Sequence, residues 1–336
     1  MLKHPLFKWL FARLKTLLPW LITFFALYIA FRDVEWETFF AHTRSVHVGW
    51  LVLAFGLTGA SYLMRSRRWQ HFFPEPTLTY RKSATALFLG FFMNNILPAR
   101  TGELVRAHLG SRLSGKTRTL VLATIASERL ADGLTISAFF LIFTIGLGDT
   151  QLSRNLYLVV GLFALVAVGV MSLLFVKQHI FTLAEKISAR FNSKVSRYTA
   201  DRFQIFIEGL RPLFSARRFP MLLSWSILIW SIELAVYYYV TVAFGNPLPL
   251  SYCALFLVAV NFSSLIPAAP GGFGVIEAIA SAVLVSVGIE KELALTMVIS
   301  QHLIQYFLVG IPGIFLTLSW KKRLKNLKEA EEPVKQ

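Results

Sequence analysis

Long apolar runs alternate along the chain with short segments that hold nearly all of its charge. A helix crossing the roughly 30 Å hydrocarbon core needs about 17–25 mostly apolar residues. Six runs meet that length, at about 16–32, 47–64, 119–147, 155–176, 221–244 and 294–318. Four more apolar stretches, about 84–97, 100–110, 251–266 and 275–288, are too short or too interrupted to span alone. Paired around Pro/Gly turns, they predict two re-entrant helical hairpins. Such non-helical backbone is tolerated at membrane depth only where protein or a water-filled cavity satisfies it, so both turns are expected to line a cavity.

The two hairpins share a string. Ala86-Leu87-Phe88-Leu89 leads to Pro98-Ala99-Arg100-Thr101-Gly102, and Ala254-Leu255-Phe256-Leu257 leads to Pro267-Ala268-Ala269-Pro270-Gly271. Charge gives the direction of each, because cytoplasmic loops are enriched in Lys and Arg. Residues 1–15, 65–82 (Arg65, Arg67, Arg68, Arg81, Lys82), 177–218 and the tail from Lys321 are basic, whereas 32–46, 148–154, 245–250 and 289–293 are nearly free of basic groups. Both termini are therefore expected to be cytoplasmic, with the first hairpin entering from the cytoplasm and the second from outside. Each half then reads span, hairpin, span, over about 47–147 and 221–318. The fold class expected is an all-α polytopic membrane protein, with about six full transmembrane helices plus two re-entrant hairpins in an inverted repeat. All of it forms one domain over residues 1–336, with a cytoplasmic loop at 177–220 and a cytoplasmic tail at 320–336.

Composition agrees. The 336 residues are 55% hydrophobic and 15% charged, with mean hydropathy +0.59, too apolar for a soluble globular protein. A formal charge of +16 would suit nucleic acid, but the basic groups sit between apolar runs, so anionic lipid headgroups are the expected partner and nucleic acid is not. The single cysteine, Cys253, excludes an intrachain disulfide. The first apolar run follows Lys3, Lys8, Arg13 and Lys15 and reads as a signal anchor that is retained.

Few ionisable groups remain inside apolar segments: Glu128, Arg129, Asp132, Glu233 and Glu277, with Arg100, Glu103 and Arg106 beside the first turn. Each would cost about 2.5–3.5 kcal/mol facing lipid, so each must face protein, a cavity or a partner. Glu128, Arg129 and Asp132 project within one broad helix face. They form either an internal lock between helices or a site in which Arg129 offers its planar fork to a lipid phosphate. Around Asn94, Asn95, Pro98, Arg100, Gly102, Glu103 and Arg106, a helix restarting at Thr101 presents free N–H groups suited to a phosphate or carboxylate. The alternative there is a capped surface turn with Arg106 snorkelling. At the second turn, Pro267, Pro270, Gly271, Gly272 and Gly274 serve either close approach of a headgroup or tight helix packing, with Glu277 near the restarting helix's positive end. Asn261, Gln301, His302 and Gln305 read as interhelical hydrogen-bond partners.

Gly110 to Thr117 matches G-x-x-x-x-G-K-[ST], a phosphate-binding loop expression, but no preceding strand or nucleotide domain is expected, and it reads as a basic connector. Basic and apolar residues alternate through 177–220, which suggests either amphipathic helices on the inner leaflet or an ordinary orientation-setting loop. No metal-ligand spacing, catalytic triad or cofactor motif is evident.

Three motifs in order carry a resemblance: N-x-x-x-P-x-R-x-G-E-x-x-R from Asn94 to Arg106, E-R-x-x-D from Glu128 to Asp132, and P-x-x-P-G-G-x-G-x-x-E from Pro267 to Glu277. Over nearly its whole length the chain resembles the lysylphosphatidylglycerol synthase transmembrane, or flippase-like, family, including the membrane half of MprF proteins. The resemblance implies translocation of an anionic or phosphate-bearing lipid between leaflets of a bacterial or archaeal inner membrane. Asn94, Asn95, Arg100, Glu103, Arg106, Glu128, Arg129, Asp132 and Glu277 are the substrate-binding candidates. In MprF proteins a soluble aminoacyl-transferase domain follows, whereas this sequence ends at Gln336, so lysylation is not expected of it alone. Two competing readings are a membrane transferase acting on a phospholipid or isoprenoid-linked substrate, and a non-catalytic partner presenting lipid to a membrane enzyme. A homo-oligomer is compatible with all of them.

Overall fold

The computed structural model describes residues 5–97, 101–144, 161, 194–266 and 268–331, and among these the regular secondary structure is all helical, with no strand. Among the described residues, eleven α-helices follow one another: α1 (Pro5–Phe31), α2 (Trp36–Arg44), α3 (Val48–His71), α4 (Tyr80–Ile96), α5 (Gly102–Ser114), α6 (Arg118–Thr144), α7 (Lys194–Leu210), α8 (Arg218–Ala243), α9 (Leu250–Ser263), α10 (Val275–Ser286) and α11 (Lys291–Glu331). Within α3, α8 and α11, the segments Val48–His71, Arg218–Ala243 and Lys291–Ser319 are long and apolar enough to cross a membrane. Leu17–Phe31 and Trp36–Arg44 qualify together but are bent by 86°. The run expected at 119–147 is α6, whose Glu128, Arg129 and Asp132 interrupt its apolar character, and the run at 155–176 lies, save Gly161, outside the described residues.

The element order repeats. A long helix, two short helices and a long helix occur as α3–α6 and again as α8–α11, and in each case the short pair packs on itself. At 1.5 Å per residue, α5, α9 and α10 are each well short of the roughly 30 Å core.

Helices α3 and α8 form the central contact. The buried positions Ala54, Thr58, Ser61, Arg65 and Arg68 recur at alternating intervals of four and three, as do Leu222, Ser226, Ile229, Glu233, Val236 and Val240. That spacing is the seam of two helices packed knobs-into-holes. The register runs antiparallel, since Ser61 bonds Glu233 while Arg68 bonds Ser226. Small residues on the α3 side let the backbones approach closely. Helix α6 passes behind this pair and is buried around most of its circumference from Leu120 to Phe140, as a helix enclosed by others must be.

The outer surface is apolar. Leu21, Phe24, Phe25, Val52, Phe307 and Phe315 are among the large side chains that face outward, on helices long enough to span. Apolar exposure on this scale is expected of a lipid-facing surface. Helix α2 was not foreseen in the segment 32–46; Trp36, exposed, stacks on Phe31 across the bend, at 5.8 Å between ring centroids. Around α7, the expected amphipathic stretch packs its Ile207 and Leu210 against Ala123 of α6, and its residues 177–193 lie outside the described set.

One boundary differs in a way that matters. The span expected to stop at residue 64 continues as α3 to His71, and Arg65 and Arg68 are buried in it rather than lying in a basic loop. Hydropathy falls at Arg65, but helical periodicity does not. Arg67 is the exposed member of that cluster, so the positive charge available to orient this segment is smaller than the sequence count suggests.

Candidate functional site

A cavity of ≈ 210 Å³ lies where the two Pro/Gly turns meet α3, α6, α8 and α11. The end of α4 contributes Asn94, Asn95 and Leu97; the segment between α9 and α10 contributes Ser264 to Ile266, Ala268, Ala269, Gly271 and Gly272. The expectation that the turns line a cavity is met for the described residues of the second; at the first, the end of α4 lines it, while Thr101 and Gly102 do not. Pro98, Arg100 and Pro267 lie outside that set.

Each turn is fixed by a specific contact. At the first, the Gly102 N–H donates to Asn94 Oδ1 at 2.8 Å, so the start of α5 is held against the end of α4. A Cβ on Gly102 would lie 2.0 Å from the Gly90 carbonyl oxygen, which only glycine avoids. At the second, Gly271, Gly272 and Gly274 have φ of 74°, 79° and 84°, in the left-handed region that side chains disfavour. Pro270 starts this turn. Its Ala269 N–H donates to Thr23 Oγ1 of α1, 2.9 Å away, and the Gly274 N–H donates to Glu277 Oε2 at 2.6 Å. The Tyr306 hydroxyl on α11 bridges to the first turn by donating to the Asn95 carbonyl, at 3.1 Å.

One wall of the cavity is a chain of ion pairs. Arg65 reaches Asp132 and Glu233, both at 3.4 Å; Arg68 reaches Asp132 at 2.7 Å and Glu128 at 3.7 Å; Arg106 reaches Glu128 at 2.5 Å. Arg129 pairs with Glu103 at 2.9 Å and approaches Asp132 at 3.9 Å. Neutral donors complete it: Trp230 Nε1–H donates to Asp132 Oδ1 at 2.9 Å and Ser61 Oγ–H to Glu233 Oε1 at 2.6 Å. The arginines also lie over aromatic faces, Arg65 over Trp230 at 4.5 Å, Arg106 over Trp69 at 4.0 Å and Arg129 over Phe91 at 5.4 Å. A planar guanidinium is suited to both contacts at once.

The chain divides into two parts. Arg68, Arg106 and Glu128 are almost fully buried and do not reach the cavity, whereas Arg65, Arg129, Asp132 and Glu233 line it. Among these, Arg129 retains 31% side-chain exposure. Of the three residues on this face of α6, Glu128 faces into the buried ion pairs, Arg129 faces into the cavity, and Asp132 joins them. Arg106 is held by Glu128 and does not snorkel. Glu103 reaches the cavity only through Arg129.

Glu277, in the first turn of α10, meets His302 of α11, with Nδ1 at 2.6 Å from Oε1, while Nε2 lies 3.0 Å from the Gly271 carbonyl oxygen. Phe273 packs against the imidazole at 4.7 Å. The reading of His302 as an interhelical partner holds, and the helix it joins is the one that restarts after the turn.

Sequence reasoning missed Arg65, Arg68, Ser61 and Trp230. The signal was present: Ser61, Arg65 and Arg68 continue the four-three spacing of Ala54 and Thr58. Among the described residues no group of three or more His, Cys, Asp or Glu could hold a metal.

The phosphate-loop lookalike proves to be a helix end. Helix α5 runs to Ser114, Gly115 caps it by donating to the Ser111 carbonyl, and the Ser111 hydroxyl donates to the Lys116 carbonyl. Lys116 pairs with exposed Glu75 at 2.6 Å and holds that carboxyl below its ordinary pKa. Lys116→Ala is accordingly expected to leave the thermal unfolding midpoint unchanged, and titration of the parent protein with ATP should give no saturable signal. Saturable ATP binding abolished by the substitution would reverse this reading.

A model of the family described as lysylphosphatidylglycerol synthase TM region matches residues 9–313. A UPF0104 membrane protein of Pyrococcus horikoshii is 25% identical over 303 residues, covering 82% of this chain and 89% of its own length. Another, of Methanocaldococcus jannaschii, is 24% identical over 226 residues, 67% of this chain and 92% of its own. The glycosyltransferase AglD of Haloferax volcanii is 23% identical over 316 residues, 82% of this chain and 49% of that protein.

Proposed function

The chain belongs to the lysylphosphatidylglycerol synthase TM region family of membrane proteins, and on that premise we propose that it carries a phosphate-bearing lipid between the leaflets of a bacterial or archaeal inner membrane. The observation that supports this reading is the placement of a charged, amide-lined cavity inside a helical body with an apolar exterior. A lipid headgroup crossing hydrocarbon needs its lost hydration replaced by fixed polar groups. Its acyl chains need no such shelter and stay in the bilayer.

In this reading Arg129 holds the phosphate by a bidentate contact, exchanging Glu103 for the ligand, with Arg100 and Arg65 adding positive charge and Asn94 and Asn95 hydrogen bonds. Arg106 and Glu128 keep α5 docked on α6. Glu277 and the glycine turn form the gate. The antiparallel pairing of α3 with α8, the first helices of the two repeated halves, favours an inverted repeat, with α4–α5 and α9–α10 as hairpins entering from opposite faces. Six spans, cytoplasmic termini and one domain complete the proposal.

The test is direct. Purified protein in liposomes should move fluorescent phosphatidylglycerol between leaflets, and Arg129→Ala should slow this at least about tenfold, as expected for loss of one charge-assisted contact worth about 1.5–3 kcal/mol. Size-exclusion chromatography would confirm that the variant is folded. Equal transport by both proteins would remove Arg129 from the site. A covalently altered lipid recovered from the vesicles would favour the transferase reading, which the AglD similarity makes specific.

A further inference from the structure

We infer that the contact between His302, Glu277 and the second turn is a proton-operated clamp, and that the proton it holds is the coupling ion of the transport proposed above. The inference concerns the driving force of that transport and in this respect rests on it.

The donors and acceptors at His302 fix the number of protons the contact needs. The Gly271 carbonyl is an acceptor only, so the 3.0 Å contact requires a proton on His302 Nε2. The 2.6 Å contact between Nδ1 and Glu277 Oε1 requires a further proton between those two atoms, carried either by the imidazole or by the carboxyl. With that proton the pair is an imidazolium facing a carboxylate or a neutral ring facing a carboxylic acid, and both contacts are made. Without it, a neutral imidazole has a single N–H and faces two acceptors. Only one contact can then survive, and the other becomes an approach of two lone pairs. Removing one proton therefore detaches α11 either from Gly271 or from Glu277.

What is released is the wall of the cavity. Gly271, Gly272 and His302 all line it, and Glu277 Oε2 simultaneously accepts the Gly274 N–H that starts α10. Movement of Gly271 is limited on its other side by Tyr306, whose Cε2 lies 2.9 Å from where a Cβ on Gly271 would sit, and Tyr306 bonds the first turn through the Asn95 carbonyl. One proton thus bears on both turns.

Other polar and charged groups surround the clamp. Helix α10 supplies Glu277 and α11 itself Tyr306, at 6.4 Å between rings; the turn supplies Phe273, α1 supplies Thr23 and Leu27, and α4 supplies Asn94 and Asn95. On the far walls, Arg65 of α3, Arg129 and Asp132 of α6 and Glu233 of α8 are tied into the ion-pair chain. At the start of α11, away from the clamp, the Glu35 N–H just before α2 donates to Glu292, and His42 of α2 meets Glu290 just before α11.

Hydrogen exchange of the full-length protein in lipid nanodiscs tests the clamp without reference to transport. Amides of residues 268–274, corrected for intrinsic exchange, should lose at least about tenfold protection between about pH 5 and about pH 9. Glu277→Gln supplies a permanent N–H to Nδ1 while its oxygen still accepts from Gly274, so this variant should stay protected throughout. His302→Ala should be unprotected at both ends. A parent protein with pH-independent protection, or a Glu277→Gln protein as pH-sensitive as the parent, would overturn the clamp. In liposomes an imposed pH gradient should change the rate of phosphatidylglycerol movement by the parent at least about tenfold and that of Glu277→Gln not at all. A gradient-insensitive parent rate would overturn the coupling but not the transport, whereas a responsive clamp in a protein that moves no lipid would overturn the transport reading alone.

Discussion

Asp132→Ala is expected to be the most damaging single substitution in the protein, lowering unfolding stability by about 3–5 kcal/mol, because removing one member of a buried pair strands the charges that remain. Asp132 accepts from Arg68, Arg65 and the Trp230 indole, and approaches Arg129. After its loss Arg68 keeps Glu128 at 3.7 Å and Arg65 keeps Glu233 at 3.4 Å, so three acids face four arginines across this chain. Asp132→Asn retains acceptor oxygen but no charge and should fall between. Denaturant unfolding in detergent micelles would measure the series. An alanine variant within about 0.5 kcal/mol of the parent would mean that the four arginines are neutralised by something other than these contacts.

Gly102→Ala is expected to be almost as severe, for a different reason. Its Cβ would lie 2.0 Å from the Gly90 carbonyl and 2.6 Å from the Asn94 amide nitrogen, both backbone atoms of α4. A side chain could rotate away, but a helix backbone cannot, so α5 must be displaced and the Gly102–Asn94 hydrogen bond broken. Overpacking of this kind costs about 1–3 kcal/mol, and the displacement carries Arg106 off Glu128, so more is expected here. Gly49→Ala is the control, since nothing lies within 4 Å of its Cβ and it sits in helix α3. That change should be neutral or stabilising. Equal folded yields of the two alanine variants would show that α4 and α5 are not packed this closely.

The order of long helix, paired short helices and long helix was legible because proline and glycine interrupt apolar runs too short to cross hydrocarbon. The buried acids were legible for the complementary reason that they lay inside otherwise apolar runs. Arg65 and Arg68 were not, since they adjoin genuinely exposed Arg67 and the eye groups all three as a loop. Only the helical repeat, carried on from Ala54, Thr58 and Ser61, separates them, and it separates them cleanly. Glu277 could be placed at a helix start from its spacing to Gly274, but nothing local could select His302 among the polar residues of α11. That pairing belongs to the packing of α10 on α11, which sequence spacing within either helix does not encode. Likewise, the division between Arg129 facing the cavity and Glu128 facing the lock turns on one residue's rotation around α6.

The ion-pair chain also has a history during synthesis. Arg65 and Arg68 leave the ribosome in α3 before any of their acids exist, for Glu128 and Asp132 arrive with α6 and Glu233 only with α8. Two guanidinium groups cannot rest in hydrocarbon unaccompanied. The carboxyl end of α3 must therefore wait at the interface or within the insertion machinery until α6 comes to meet it, and Arg65 gains its second acid only with α8.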